Sequence, residues 1–362
     1  MKYIDEYRDE NRVKLILEKI KLISTKKVNL MEVCGTHTVS IFRNGIKNIL
    51  PENIQLISGP GCPVCVTPIE SIDEIIAFSR KKDFIVTTFG DMIRVPGSTS
   101  SLEKEKADGA DIRVVYSTLD ALDIAQKNSD KNIVFMGAGF ETTSPTIASI
   151  VLQAKNKGIK NFSVLSVAKT MPPVMKSLLV GGMNIDGFIC PGHVSAIIGS
   201  KPYDFIAEKF GIPCVISGFE PVDILETIYM LIKQIEKNIA KIEIQYKRAV
   251  KPEGNQIALN KMEEVFKTVD AGWRGIGNIA NSGLDLKKEF IQHNARRFKV
   301  SIEKSKEYPG CRCGDVLKGL INPTECALFR TVCTPQDPKG ACMVSSEGTC
   351  AAYYRYDHSS IS

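Results

Sequence analysis

Residues 132–157, NIVFMGAGFETTSPTIASIVLQAKNK, indicate the fold of this 362-residue chain. A short apolar, β-branched run at 132–136 is followed by a glycine turn and then by a longer helical segment at 145–157. Similar units recur through the first 250 residues, where short apolar runs alternate with longer amphipathic segments. Parallel strands joined by crossover helices produce this alternation. The sequence therefore predicts an α/β fold built on open parallel sheets.

The alternation also gives approximate bounds for the individual elements. Predicted strands cover 28–33, 54–57, 84–88, 112–116, 132–136, 162–167, 187–190 and 213–217. Predicted helices fall between them, for instance at 69–81, 119–127, 145–157 and 221–248. At about 1.5 Å per residue, the last of these helices would cross a whole domain. The segment KPEGN at 251–255 is typical of a domain boundary.

Two parts of the α/β body resemble each other. VCGTHTVSI at 33–41 is similar to ICPGHVSAI at 189–197, and LISGPGCPVCVTPIESIDEIIAF at 56–78 is similar to VISGFEPVDILETIYML at 215–231. The repeat predicts two similar α/β domains, 1–143 and 144–250, that face each other across a cleft, followed by a third domain at 251–362. Strand-end loops would line the cleft, where open α/β sheets bind their ligands.

Six of the eleven cysteines lie in the last 52 residues, at Cys311, Cys313, Cys326, Cys333, Cys342 and Cys350. Iron–sulfur clusters take four cysteine ligands, whereas zinc ribbons usually combine two C-x-x-C pairs, and none of these six cysteines has that spacing. Disulfides are disfavoured because the chain looks cytosolic, a compartment in which thiols stay reduced. We therefore expect a C-terminal cysteine-rich iron–sulfur domain.

Composition and charge exclude several classes of protein. The 47 basic and 41 acidic residues give a net charge of +6, spread over predicted helices, which indicates a solvated surface and no nucleic-acid partner. No stretch approaches the ~18 apolar residues of a membrane span. The N-terminal segment carries charges of both signs and lacks the apolar core of a secretory signal. These features predict a cytoplasmic protein.

The first candidate site is the loop Cys34-Gly35-Thr36-His37, which follows a predicted strand. Its spacing can bring a thiolate and an imidazole to one metal ion or substrate, and its glycine allows close approach of backbone. A buried cysteine beside a structural histidine would have the same sequence. The pair Cys190 and His193 has the same spacing and leaves the same two alternatives open.

The second candidate site is GPGCPVC at 59–65, where Cys62 and Cys65 follow a predicted strand and begin a helix. This is the thioredoxin-type arrangement, in which a helix N-terminus lowers the thiol pKa and the spacing permits a reversible disulfide. Half of a zinc site is the alternative, but no second C-x-x-C completes it. The motif therefore predicts a redox dithiol.

The third candidate site is the turn from Gly137 to Thr143, GAGFETT, between a strand and a helix. Gly139, Glu141, Thr142 and Thr143 are its candidate binding residues, because a glycine turn with hydroxyl groups at a helix start can bind an anion on free backbone N–H groups. The segment lacks the Gly-Lys-Ser/Thr of a phosphate-binding loop. An ordinary helix cap is the alternative interpretation.

Together these segments resemble the HypD family of nickel-iron hydrogenase maturation factors. MEVCGTHT, GPGCPVC, GFETTSPT, CPGHVSAI and the tail segments CRCGDVLKG, ECALF, CTP and GACMVSSEGTCAAYY follow the family's order across essentially the whole chain. The resemblance implies a scaffold rather than a conventional turnover enzyme. It further implies that the scaffold, with a small HypC-type chaperone, carries the iron while the Fe(CN)2CO group is assembled, and that HypE, acting with HypF, supplies cyanide as an enzyme-bound thiocyanate.

The resemblance also implies roles for individual residues. Cys34 would hold the iron together with a cysteine of the chaperone, with His37 beside it and the Cys62/Cys65 dithiol nearby. The tail resembles the 4Fe-4S region of ferredoxin-thioredoxin reductase, in which a cluster lies beside a redox-active disulfide.

By that likeness the tail cysteines divide into two groups. Cys313 and Cys342 would form a dithiol that passes electrons from the cluster to Cys62/Cys65. Both members of a C-x-C can ligate, so this division stays open. The implied cluster ligands are Cys311, Cys326, Cys333 and Cys350.

Two other functions fit parts of the sequence. A free-standing 4Fe-4S thiol-disulfide oxidoreductase of the ferredoxin-thioredoxin reductase type explains the CPVC motif and the tail, but it explains neither the Cys34/His37 loop nor the large body. A zinc-stabilised binding module explains only the clustering of cysteines in the tail.

Overall fold

A computed structural model describes residues 5–302 and 304–357 of the chain. Its strands are β1 Val28–Glu32, β2 Ile54–Ser58, β3 Phe84–Thr88, β4 Ile112–Val114, β5 Asn132–Gly137, β6 Phe162–Ser166, β7 Gly187–Pro191, β8 Cys214–Ser217, β9 Ile242–Ile244, β10 Phe266–Trp273 and β11 Gly277–Leu286. Each predicted strand is present, with ends within two residues of those expected. Buried, β-branched runs of this length therefore identified eight strands of the body, whereas β9 was not predicted.

Helices connect most of these strands. They are α1 Glu10–Ile23, α2 Gly35–Arg43, α3 Ile46–Ile49, α4 Pro63–Val66, α5 Ile69–Ser79, α6 Leu102–Ala107, α7 Thr118–Lys127, α8 Ser144–Asn156, α9 Met171–Val180, α10 Gly192–Ile198, α11 Asp204–Phe210, α12 Pro221–Glu236, α13 Gln256–Val265, α14 Cys313–Leu317 and α15 Thr349–Tyr356. The remaining tail, around α14 and α15, consists of loops and short 3-10 turns.

The strands form two parallel sheets and one hairpin. Sheet A has the order β2-β1-β7-β8-β9, sheet B has the order β4-β3-β5-β6, and β10 pairs with β11 in antiparallel register. Both larger sheets are wholly parallel. The predicted α/β class with parallel sheets is therefore confirmed, and the cysteine-rich C-terminal region is present.

Sheet membership does not follow the expected division at 143/144. Strand β1 pairs with β7, with Leu30 opposite Gly187, so β1 and β2 share sheet A with β7 and β8, while β3 to β6 form the other sheet. The two copies of the sequence repeat thus contribute strands to the same sheet, sheet A. The domain bounds 1–143, 144–250 and 251–362, and the cleft between domains, stay predictions.

The predicted helix at 221–248 is wrong in its second half. Helix α12 ends at Glu236, and β9 then adds a strand to the edge of sheet A. Asn238 adopts a left-handed φ of 52°, a conformation that ends helices and that asparagine tolerates. The Lys26 ammonium donates to Ile235 O at 2.7 Å, which satisfies one carbonyl of the last helical turn, and to the side-chain Oδ1 of Asn238 at 2.8 Å. Long-range contacts therefore stop this helix.

One continuous core joins the two sheets and the tail. A single cluster of buried side chains includes Met31 of sheet A, Val86 of sheet B, and Cys313 and Cys342 of the tail. Each fully buried apolar side chain contributes about 1.5–3 kcal/mol relative to exposure. The tail thiols are therefore held rigidly against the α/β body.

None of the helices in the described part of the chain is both long enough and apolar enough to cross a membrane.

Candidate functional site

Cys34 lies at the carboxyl end of β1, where the chain turns into α2. Its backbone is extended at the N-cap position, with φ −151° and ψ 121°, and only 8% of its surface is exposed. The carboxyl ends of parallel strands are where open α/β sheets gather their functional loops. The structure therefore places this candidate thiol where the sequence predicted it.

Two separate segments pack against the Cys34 turn. A Cβ on Gly61 would lie 2.1 Å from Cys34 N, so the GPGCPVC loop packs directly against the cysteine backbone. A Cβ on Gly35 would lie 2.6 Å from Glu347 Cβ, so the tail also reaches this point. The Thr36 hydroxyl donates to Glu347 Oε1 at 2.7 Å and fixes that contact. Glycine is required at 35 and 61 because any side chain would separate these segments.

Two carboxyl groups, buried Glu32 and half-buried Glu347, act on the Cys34 thiol. Glu32 accepts a hydrogen bond from Cys34 N at 2.9 Å and another from the Thr38 hydroxyl, and burial raises its carboxyl pKa to about 7. Burial, together with the negative charges of Glu347 and Glu32, raises the pKa of the Cys34 thiol to about 12. The thiol therefore keeps its proton at neutral pH until a metal ion or electrophile displaces it.

His37 lies one turn into α2 in a neutral form. Burial lowers its pKa to about 4, and its Nε2 donates to Gly218 O at 2.9 Å. This bond assigns the proton to Nε2 and leaves Nδ1 as an acceptor, which has no partner among the described residues. Phe219 stacks between His37 and His193, at ring-centroid distances of 4.7 and 3.9 Å. A thiol and an unpartnered imidazole nitrogen therefore occupy the same turn.

The Cys190/His193 pair does not repeat this arrangement. Cys190 is fully buried inside sheet A, and its thiol lies within hydrogen-bonding reach of Cys214. His193 is exposed on α10 and stacks on Phe219, so only the histidine reaches the Cys34 region. The same sequence spacing therefore gives a cysteine at a strand end in one copy and a cysteine inside the sheet in the other.

The CPVC cysteines begin a very short helix. Cys62 is the N-cap of α4, and Cys65 N donates to Cys62 Sγ at 3.4 Å, with both thiols free. Burial raises the pKa of the Cys65 thiol well above its usual value, opposite to the lowering expected from a helix N-terminus. The reason is that α4 has only 4 residues, too few aligned peptide dipoles to offset complete desolvation.

The tail cysteines surround one cavity. Five of them line this cavity, namely Cys311, Cys313, Cys326, Cys333 and Cys350. Gly340 leaves this space open, because a Cβ there would lie 2.6 Å from Cys311 Sγ and 3.2 Å from Cys313 Sγ. Among the described residues, no three side chains of His, Cys, Asp or Glu lie close enough together to hold a single metal ion. Cluster ligands instead surround a cavity, since each thiolate binds a different iron.

Cys342 connects the CPVC cysteines with the cysteines that line the tail cavity. It is completely buried, and its thiol lies within hydrogen-bonding reach of the thiols of Cys65, Cys313 and Cys350. Its amide N donates to Cys313 Sγ at 3.4 Å, and the Cys65 thiol reaches Ala341 O at 4.0 Å. A continuous line of thiols therefore runs from the CPVC motif to the cysteine-lined cavity without any domain movement.

The GAGFETT turn is packed as an ordinary helix start. The amide groups of Thr143 and Ser144 donate to Phe140 O at 3.0 and 3.1 Å, so they are not free for an anion. Glu141 is buried and accepts a hydrogen bond from Met171 N at 2.9 Å, and Thr142 is exposed. A Cβ on Gly139 would lie 2.5 Å from Thr143 Cβ. Anion binding here gains no support from these contacts and stays a prediction.

Glu141 predicts a measurable pH effect on stability. Burial raises its carboxyl pKa from 4.5 to about 7, and Oε2 has no partner among the described residues. The folded protein binds the Glu141 proton more tightly than the unfolded chain does. The stability that this difference contributes is complete below pH 4.5 and is lost as the pH rises through 7. We expect Glu141→Gln to match wild type near pH 4.5 and to exceed its unfolding free energy by about 3 kcal/mol at pH 8.

Denaturant unfolding of the reduced protein across this pH range is the measurement. Exposed Glu103 offers the matched control Glu103→Gln, which should follow wild type at every pH. A constant difference between Glu141→Gln and wild type across the range would show that Glu141 stays ionised in the folded protein.

Sequence reasoning missed Glu32, Glu347 and Phe219, all of which contact the Cys34 region. Glu32 carried a usable signal, since a glutamate two residues before Cys34 interrupts an apolar strand. Glu347 lies 311 positions from Thr36, and no local pattern links the two.

Comparison with known proteins shows full-length similarity. Residues 11–357 match the HypD family, described as the hydrogenase formation hypA family. A hydrogenase maturation factor HypD of Rhodobacter capsulatus is 45% identical over 370 residues, covering 98% of each chain. That of Escherichia coli is 43% identical over 366 residues, covering 98% of each chain. A putative hydrogenase expression/formation protein of Methanocaldococcus jannaschii is 44% identical over 351 residues, covering 96% of this chain and 98% of its own.

Proposed function

We propose that this chain, which belongs to the HypD family of hydrogenase formation proteins, serves hydrogenase maturation as the scaffold on which Fe(CN)2CO is assembled. The observation that carries the proposal is the convergence of Cys34, the CPVC loop and Glu347 at one strand end. The iron group is cargo that passes through this point. The scaffold works in the cytoplasm, where its thiols stay reduced.

Cys34 is the proposed iron anchor. Thiolates suit the soft, low-spin Fe(II) that cyanide and carbon monoxide ligands produce. Because the Cys34 pKa is about 12, the free thiol is protonated and unreactive, and binding of iron releases the proton. The unpartnered Nδ1 of His37 provides a neutral acceptor one helical turn away. Burial of both groups protects the site from adventitious oxidation.

Cys62 and Cys65 are the proposed source of two electrons. A thiocyanate R–S–CN takes up two electrons to give a thiolate and cyanide. The dithiol supplies these electrons when it closes to a disulfide and releases two protons, and the C-x-x-C spacing permits the bond. The Gly61 contact with Cys34 supports this role, because it places the dithiol loop against the iron anchor.

The tail cavity fits a 4Fe-4S cluster, since more than the four thiols required line it and Gly340 keeps it open. A cluster bound there supplies electrons one at a time, which suits regeneration of a dithiol in two steps. Cys326, Cys333 and Cys350 contribute three of the ligands. Cys311 is the proposed fourth, although Cys313 also lines the cavity.

Cys313 and Cys342 are proposed to reduce the CPVC disulfide by thiol exchange. The Cys342 thiolate attacks Cys65, which releases the Cys62 thiolate and forms a Cys65–Cys342 disulfide. Cys313 then attacks Cys342, which releases Cys65 and leaves a Cys313–Cys342 disulfide. The two protons lost by Cys313 and Cys342 balance those gained by Cys62 and Cys65. The contacts of Cys342 with both partners support this sequence.

The proposed partners are a HypC-type chaperone and HypE as cyanide donor. Cys34 is buried, and an open groove is lined by Phe219, Glu220, Tyr246, Arg248 and Ala249. Phe219 joins the groove to the site because it stacks on His37. A chaperone cysteine entering from this groove would complete the iron ligands together with Cys34.

An infrared spectrum of the protein co-purified anaerobically with its small chaperone tests the function. We expect cyanide and carbonyl stretching bands, together with more than four iron atoms per chain. A free-standing thiol-disulfide oxidoreductase would show a cluster without these bands, and a zinc module would show zinc in place of iron. Either result would overturn the scaffold proposal.

The division of the tail cysteines predicts opposite results for two kinds of variant. Cys326→Ser or Cys333→Ser should lose most of the cluster iron and its visible absorbance, because each removes a ligand. Cys342→Ser should retain both, because Cys342 does not line the cavity. Iron content after anaerobic reconstitution is the measurement. Loss of iron in Cys342→Ser with retention in Cys333→Ser would reverse the assignment.

A further inference from the structure

Arg274 is a buried cation with unused hydrogen-bond donors. It follows β10, and only 3% of its surface is exposed. Its Nη2 donates to Glu307 Oε2 at 2.7 Å and to Pro96 O at 3.3 Å. Its Nε and Nη1 have no partner among the described residues. Leaving buried donors of a charged group unpaired is costly, which points to an acceptor that binds there.

Backbone contacts fix Arg274 between the CPVC helix and the tail loop of the C-x-C cysteines. Arg274 N donates to Val66 O at 2.9 Å, which ties it to the CPVC helix α4. Gly275 and Gly314 are in direct backbone contact, because a Cβ on Gly275 would lie 2.2 Å from Gly314 Cα. These two contacts hold the arginine against the tail loop that carries Cys311 and Cys313.

Arg274 lies close to the C-x-C cysteines. Arg274, Cys311 and Cys313 line one cavity, and the arginine interacts electrostatically with both cysteines. The neighbouring charged side chains on this face are already paired with each other, since Asp315 binds Arg312 at 2.9 Å and Lys318 at 3.7 Å. Arg274 is therefore a buried cation beside these cysteines with two donors that no described residue accepts.

We propose that Arg274 is a positioning residue that donates its Nε and Nη1 hydrogen bonds to the sulfur atoms on the Cys311/Cys313 side of the cluster site. This inference rests on the proposed cluster. Hydrogen bonds to sulfur and nearby charge set the reduction potential of such a site. Reduction adds one negative charge, which a buried cation stabilises, so Arg274 raises the potential at which the site accepts an electron.

The test is a redox titration of the anaerobically purified full-length protein, followed by electron paramagnetic resonance. In Arg274→Gln we expect the oxidised-to-reduced ratio at fixed potential to rise about tenfold, which corresponds to a midpoint lower by about 59 mV for one electron. Arg274→Lys keeps the charge and loses the fork of donors, so its shift should have the same direction and a smaller size.

Arg312→Gln is the matched control, because Arg312 adjoins the same cysteines but is exposed and paired with Asp315. It should leave the midpoint unchanged. If Arg274→Gln does not fold, the midpoint potential of Arg274→Lys tests the proposal instead. Unshifted midpoints in Arg274 variants that hold a full cluster would refute the role of Arg274 alone, whereas a wild-type protein without a cluster would refute the proposed cluster and this inference with it.

Discussion

Cys34→Ala is expected to abolish the cyanide and carbonyl infrared bands of the chaperone complex while leaving the 4Fe-4S absorbance of the tail intact. The alanine removes the one thiol at the carboxyl end of β1, against which the CPVC loop and Glu347 pack. The tail cavity is lined by other cysteines and does not include Cys34. The expected result is therefore complete loss of one spectroscopic signal and retention of the other.

Cys190→Ala is the matched control for this variant. Cys190 has the same spacing to a histidine and lies on the neighbouring strand of sheet A, but its thiol faces Cys214 in the core. Removing one buried sulfur should lower stability modestly and leave the infrared bands unchanged. Bands that survive in Cys34→Ala, or that disappear equally in both variants, would show that the iron is anchored elsewhere.

The different environments of Cys34 and Cys190 show which features of the structure could be predicted from the sequence and which could not. The strands of the body other than β9 were predictable, because a buried parallel strand is a short apolar run whose signal is local; the half-buried edge strand β9 lacks that signal. The assignment of β1 and β2 to the same sheet as β7 was not predictable, since it depends on pairings across more than 150 residues. The repeat was detectable, but side-by-side strands in one sheet and two facing domains produce the same sequence similarity.

The candidate thiols were predictable for a related reason. Cysteine motifs carry their chemistry in short spacings, so Cys34, Cys62 and Cys65 could be selected from the chain alone. Their environment was not predictable: the pKa of Cys65 is raised by burial where a helix N-terminus predicts lowering. Likewise, the contact between Cys65 and Cys342 joins residues 277 positions apart and follows from tertiary packing.

The double change Cys62→Ser with Cys65→Ser is expected to prevent hydrogenase maturation completely while sparing the tail cluster and chaperone binding. Serine preserves the volume of each side chain closely but cannot form a disulfide, so no electrons reach the cyanide donor. The cluster persists because neither cysteine lines the tail cavity. Hydrogenase activity in a strain that carries only the variant, together with iron content of the purified protein, is the measurement.

Cys214→Ser is the control for the serine substitution itself, because Cys214 is equally buried but lies in sheet A outside the line of thiols. It should support maturation. Cys342→Ser provides an independent test of the same path, because the Cys342 thiol contacts both Cys65 and Cys313. That variant should keep its cluster and fail to reduce a CPVC disulfide. Full maturation by the Cys62/Cys65 double variant would mean that this dithiol is structural, and the line of thiols would then carry no electrons.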